Sequence, residues 1–289
     1  MTSLPQPLKK TLEELLMQRI TGFSPATGGC INHGGQLTTT SSSYFLKWNN
    51  AQRYPDMFVL EARGLNILAD ARCITIPAVH HVGEADGMQF IVMEFIRPAP
   101  RKKNYFELLG QRLAALHNHS QSQFGLDHHN YIGSLPQQNT PADSWVEFFV
   151  KQRLRPQLEM ALQSYRLHAD DAKKFDTLFL RLNELLPEDK PSLLHGDLWS
   201  GNLMVDDHGE PCLIDPAVYY GHREAEIAFT QLFGGFDEAF YQAYQEAFPL
   251  LPGFASRVDI YNLYPLLVHV NLFGGGYSQS VRSILKRLS

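Results

Sequence analysis

The chain has 289 residues, 44% of them hydrophobic and 19% charged, with a formal net charge of −5; that length suits one large domain or two lobes, and the acidic balance argues against nucleic acid as a partner, since binding a phosphate backbone needs a concentrated basic surface. The N-terminus lacks the basic-then-apolar plan of a signal peptide, and no run reaches the roughly 18 uncharged apolar residues of a membrane span. Three scattered cysteines, Cys30, Cys73 and Cys212, lack metal-site spacing and fit free thiols in a reducing compartment, so the expectation is a soluble cytoplasmic protein without a membrane partner.

In chain order, Leu8 to Ile20 carries helical spacing, with Leu12, Leu15, Leu16 and Ile20 on one face. Gly28-Gly29 and Gly34-Gly35 then bracket turn-rich, β-like sequence, and Tyr44 to Trp48 reads as a strand. A helix follows from near Pro55 to about Asp70. Ile76–Val79 and Gln89–Met93 read as two further strands, and Arg97-Pro98-Ala99-Pro100-Arg101 reads as a hinge. This predicts a small N-terminal lobe over residues 1–96 and a larger, mainly helical lobe over 97–289. In the second lobe, helices are expected over Asn104–His119, Trp145–Tyr165 and Ala169–Leu186 and again from Glu224 onward. Short strands are expected at 192–194, 203–205 and 211–214. Gln121 to Thr140, rich in Gln, Asn, His and Gly, reads as a loop that could meet a substrate.

The densest chemistry lies in His195-Gly196-Asp197-Leu198-Trp199-Ser200-Gly201-Asn202, followed by Leu213-Ile214-Asp215-Pro216. An acid with a carboxamide five positions on, then a second acid after an apolar run, is what phosphoryl transfer from a Mg²⁺-nucleotide requires. On this reading Asp197 is the base for an acceptor hydroxyl, Asn202 a ligand of Mg²⁺ and Asp215 the principal metal ligand. Lys47, inside an apolar strand, can neutralise phosphate charge, with Glu61 as the carboxylate that fixes it. Gly28 and Gly29 could bring backbone N–H groups close to phosphates, which would place Cys30 in or beside that loop. His195 is expected to hydrogen-bond the loop backbone rather than act as base. Trp199 could wall the acceptor site, since a sugar ring stacks well on indole. His80-His81 and His128-His129 lack the further ligands of a metal site and read as surface or loop histidines.

The set Asp197-x-x-x-x-Asn202, Asp215, Lys47 and Glu61 resembles the small-molecule branch of the protein-kinase-like fold. Gly28-Gly29-Cys30-Ile31-Asn32, Phe124-Gly125-Leu126-Asp127, Trp145-Val146-Glu147-Phe148-Phe149, Ile214-Asp215-Pro216-Ala217, Tyr220-Gly221-His222-Arg223-Glu224 and Phe233-Gly234-Gly235-Phe236 are similar to the fructosamine kinase (ketosamine-3-kinase) family over nearly the whole chain. The resemblance implies a bilobal α+β fold, with a small N-terminal sheet lobe that carries one main helix. It implies transfer of the ATP γ-phosphate to the 3-hydroxyl of a ketosamine on a lysine or another amine, which leads to deglycation. Met93, Glu94, Phe95 and Ile96 match the segment that borders adenine. Two alternatives stand beside this: another small-molecule kinase of the same fold, acting on an aminoglycoside, amino alcohol or sugar, and a nucleotide-binding regulator without turnover.

Overall fold

Residues 4–26 and 32–288 are described in the computed structural model, and the chain divides into two units. The first is Met1–Tyr105 with Leu203–Pro216; the second is Phe106–Asn202 with Ala217–Ser289. Gly28, Gly29 and Cys30 lie outside the described residues.

Helix α1 (Gln6–Leu16) buries Leu8, Leu12 and Leu16, one residue per turn along one stripe. The expected run to Ile20 stops early: Met17 turns left-handed with φ 50°, and Ile20 opens the strand β1 (Ile20–Pro25). Leu15 therefore points outward, 42% exposed. Strands β2 (His33–Thr39) and β3 (Ser43–Asn50), helix α2 (Met57–Asp70), and strands β4 (Val79–Ala85) and β5 (Met88–Glu94) complete the core of this unit. The five strands form one antiparallel sheet in the order β1-β2-β3-β5-β4.

Strand alternation decides which side chains meet which helix. Leu46 and Trp48 on β3, with Phe90 and Val92 on β5, join the α1 leucines in one core cluster. Ile91 and Met93, one position out of phase, pack with Phe58, Ala62 and Leu65 of α2 in another. Lys47 stands between Leu46 and Trp48, so the period of two turns it toward α2. The strand expected at 76–79 lies three residues later, because Thr75 instead bridges Cys212 and its carbonyl accepts from Leu213 N.

The late segment in this unit is a hairpin, Leu203–Val205 paired with Pro211–Leu213. Buried Asp206 fastens it. Its Oδ1 accepts from His208 N at 2.9 Å and Glu210 N at 2.8 Å, and its Oδ2 from Thr75 Oγ1 at 3.0 Å. Tyr105 Oη donates to Met204 O at 3.0 Å, and Lys102 Nζ pairs with Glu210 at 2.6 Å. Burial raises the Cys212 pKa to about 12, so this side chain stays a thiol.

The second unit is helical around α9 (Phe254–Phe273). Before it come α3 (Tyr105–His117), α4 (Trp145–Phe148), α5 (Arg155–Gln163), α6 (Ala169–Leu185), α7 (Arg223–Leu232) and α8 (Glu238–Ala247), and after it α10 (Tyr277–Leu288). Buried positions run around most of α9, as in a helix enclosed by others; α5, α7 and α10 pack on it. The single helix expected over 145–165 is interrupted by a π-helical turn, Phe149–Leu154. Pro156, two residues on, has no N–H to continue the regular ladder.

The stretch 121–140, expected to be a loop, contains an antiparallel pair, Asn130–Ile132 with Leu135–Gln137. Its polar side chains are buried because they bond to backbone. Asn130 Nδ2 donates to Val218 O at 2.8 Å and Gln137 Nε2 to Ala217 O at 3.0 Å. Among the described residues, no helix is long and apolar enough to cross a membrane.

Candidate active site

Three of the singled-out residues meet in the first unit. Lys47 Nζ donates to Glu61 Oε1 at 2.8 Å and also pairs with Asp215 Oδ1. The Lys47 and Glu61 side chains are 10% and 12% exposed, that of Asp215 45%. Burial alone would lower the Lys47 pKa, but the Asp215 and Glu61 carboxylates outweigh it and hold the ammonium above the ordinary lysine range. Asp215 follows the hairpin with φ 55°, a left-handed conformation that is uncommon outside glycine. Met93 is buried against α2. Glu94 ends β5 and its Oε2 accepts from Ala78 N at 3.2 Å; Phe95 and buried Ile96 follow.

The second unit holds the other two. Strand Ser192–Leu194 pairs with Tyr219–Gly221, and His195 O accepts from Ala217 N at 2.9 Å. Gly196 turns the chain with φ +83°, and a Cβ on it would strike the Ala217 carbonyl. The turn delivers Asp197, whose backbone N donates to His195 Nδ1 at 3.3 Å. His195 is fully buried. A 3₁₀ turn, Ser200–Asn202, brings buried Asn202 back on the acid. Asn202 Nδ2 donates to Asp197 O at 2.8 Å and to Asp197 Oδ2 at 3.0 Å. Asn202 Oδ1 is a carboxamide oxygen, the donor type a hard divalent cation selects. The Trp199 indole, 40% exposed, lies over Gly201, where a Cβ would collide with the ring.

Gly196→Ala should therefore unfold more readily than wild type. The left-handed φ alone costs about 1–2 kcal/mol, and the backbone collision adds to it. Urea unfolding checks this; an unchanged midpoint would mean that the turn has room to spare.

Asp197 and Gly196 also line a cavity within this unit, walled by Phe149, Tyr219, Tyr261 and Tyr264. Phe149 reaches it from the π-helical turn, and Tyr264 Oη donates to Gln137 Oε1 at 2.6 Å. Sequence reading missed Tyr264 and, behind the turn, Glu226 and His117. Aromatic residues inside a buried helix read as core, and an acid in the first turn of a helix reads as a solvated partner of the helix dipole.

The sequence model of the fructosamine kinase family matches residues 5–289. A probable ketoamine kinase of Synechocystis is 41% identical over 93% of this chain and 90% of its own length. A chloroplastic protein-ribulosamine 3-kinase of Oryza sativa subsp. japonica is 42% identical over 92% of this chain and 78% of its own. The crystal structure of a candidate fructosamine-3-kinase from Haemophilus somnus 129PT superposes with a TM-score of 0.88 at 28% identity, covering 98% of this chain and 97% of that one.

Proposed function

The chain belongs to the fructosamine kinase family, and with it to the phosphotransferases that act on hydroxyl groups; on that premise we propose that it transfers the ATP γ-phosphate to the 3-hydroxyl of a ketosamine carried by a lysine or another amine. The observation that carries this reading is the pairing of buried Lys47 with Glu61 and Asp215 on a sheet lobe, in a chain that also carries the Asp197–Asn202 turn. In this mechanism Asp197 accepts the proton of the acceptor hydroxyl as its oxygen forms a bond to the γ-phosphorus. The bond from that phosphorus to the β,γ-bridging oxygen breaks, and ADP leaves. Lys47, fixed by Glu61, binds the nucleotide phosphates as a point charge. Asn202 and Asp215 would each offer an oxygen ligand to Mg²⁺, which, when bound, would neutralise charge on those phosphates.

For the acceptor, the reading rests on the family and on Asp197, beside which lies a small ring-walled cavity. A ketosamine phosphorylated at this position is unstable and falls away, so the consequence would be deglycation of proteins or small amines. Cytoplasmic action fits the low cysteine count. Incubation with ATP, Mg²⁺ and a panel of acceptors tests the reading. Ribuloselysine or fructoselysine should give ADP and a product phosphorylated at the 3-position by NMR. ADP formation only with an aminoglycoside, an amino alcohol or a free sugar would overturn it.

A further inference from the structure

The π-helical turn that brings Phe149 to the cavity beside Asp197 also carries a fully buried arginine, Arg153. Its guanidinium carbon lies 3.9 Å from the centre of the Tyr219 ring, 4.6 Å from that of Phe148 and 5.5 Å from that of Tyr264. At the rim of the guanidinium, Nη1 donates to Gln138 O and, at 3.1 Å, to Gln152 O, and Nη2 donates to Asn139 Oδ1 at 2.7 Å. Rings, carbonyls and a carboxamide, all neutral, thus take up this charge.

Burying a cation among neutral partners is costly, and an aliphatic side chain would fill the same space without that cost. What an aliphatic chain lacks is a planar face with donors around its rim. Here the face lies on the rings and the rim holds residues 138–139. The hold extends further. Asn139 Nδ2 donates to Asn130 Oδ1 at 2.9 Å, and Gln137 Nε2 donates to the same oxygen at 2.8 Å. Gln137 Oε1 accepts from Tyr264 Oη at 2.6 Å. Burial pushes the Tyr264 pKa up, so its hydroxyl keeps the proton that it donates. The network therefore returns, through Asn139, Asn130 and Gln137, to a ring that Arg153 itself faces.

Three segments far apart in the chain reach the Asp197 cavity through this network. Tyr219 comes from the strand paired with residues 192–194, Tyr264 from α9, and Ile132 from the pair Asn130–Ile132 with Leu135–Gln137. Short π-helical turns are frequent at functional sites. We propose that Arg153 is a positioning residue for the acceptor: stacked on Tyr219 and Tyr264 and tied to residues 138–139, it sets the wall against which the acceptor is held as its hydroxyl meets Asp197. This rests on the reading of Asp197 as the base.

Steady-state kinetics with MgATP and a ketosamine, on wild type, Arg153→Lys and Arg153→Met, test it beside thermal unfolding. Arg153→Lys keeps the charge and a donor for Asn139 but loses the planar face. Its kcat/KM for the ketosamine should fall about 30-fold, and that of Arg153→Met, which loses the donors as well, about 100-fold, as for an acceptor misplaced by about an ångström. The KM for ATP should stay within about twofold in both. In a Tyr219→Leu background the further loss from Arg153→Lys should shrink to under about threefold, because the nearest ring is gone. A folded Arg153→Lys with kcat/KM for the ketosamine within about threefold of wild type overturns the proposal. So does a loss shared equally by the KM for ATP, or an undiminished loss in the Tyr219→Leu background. If Arg153→Met does not fold, Arg153→Lys decides; if neither folds, Arg153 is structural and the proposal falls. A wild type that phosphorylates another alcohol and no ketosamine overturns the substrate reading instead, and the same variants on that alcohol still decide the role of Arg153.

Discussion

Asp197→Asn is expected to lower kcat by about a thousandfold, within the range for loss of a positioned general base. The substitution is close to isosteric, and its carbonyl oxygen can still accept from Asn202 Nδ2, which now bonds Asp197 Oδ2. The fold and nucleotide affinity should therefore be kept. What is lost is the capacity to take a proton, so the loss should fall on kcat and leave the KM for ATP in place. ADP release with a ketosamine, read alongside thermal unfolding, is the measurement. A loss under about tenfold would remove Asp197 from the role of base.

Lys47→Met should cost both turnover and stability. Glu61, 12% exposed, would be left as a buried carboxylate without its ammonium partner, a situation that typically costs about 3–5 kcal/mol. Asp215 loses the same partner at a more exposed position, where screening by solvent makes the loss small. Turnover should fall by about two to three orders of magnitude, since one fixed positive charge on the phosphates is gone. The double variant Lys47→Met/Glu61→Leu separates the two effects. It should recover most of the lost thermal stability, because both members of the buried pair are then apolar, and it should recover no activity. Stability that stays low in the double variant would mean that the pair is not what destabilises Lys47→Met.

The sheet lobe was readable because its strands obey a period of two and its helices bury one stripe. The Leu46-Lys47-Trp48 triplet is enough to send a lysine to one face and its neighbours to the other. The boundary at Ile20 was not readable, since an apolar residue four positions after Leu16 continues a helical stripe as well as it opens a strand. The stretch 121–140 was misread for a different reason. Asn130, Gln137 and Asn139 look like loop residues by composition, yet they are buried and satisfied by backbone atoms of 217–218 and by one another. No local pattern records partners eighty residues away. Chemistry stood out where residue type and spacing coincide, as in Asp197 and Asn202. Glu226 did not, because its meaning lies wholly in the His195 and Gly196 amides that donate to its carboxylate.

The hairpin that carries Asp215 also sets an order of events during synthesis. Residues 106–202 leave the ribosome between the sheet lobe and the hairpin that completes it. At about 5–20 residues per second, that delay is roughly 5–20 s. Over that interval Thr75, Lys102 and Tyr105 have not met Asp206, Glu210 and Met204, and the Lys47–Glu61 pair lacks its second acid. The nascent N-terminal lobe is therefore unfinished until the chain passes residue 216, by which point the Asp197 turn has also been made.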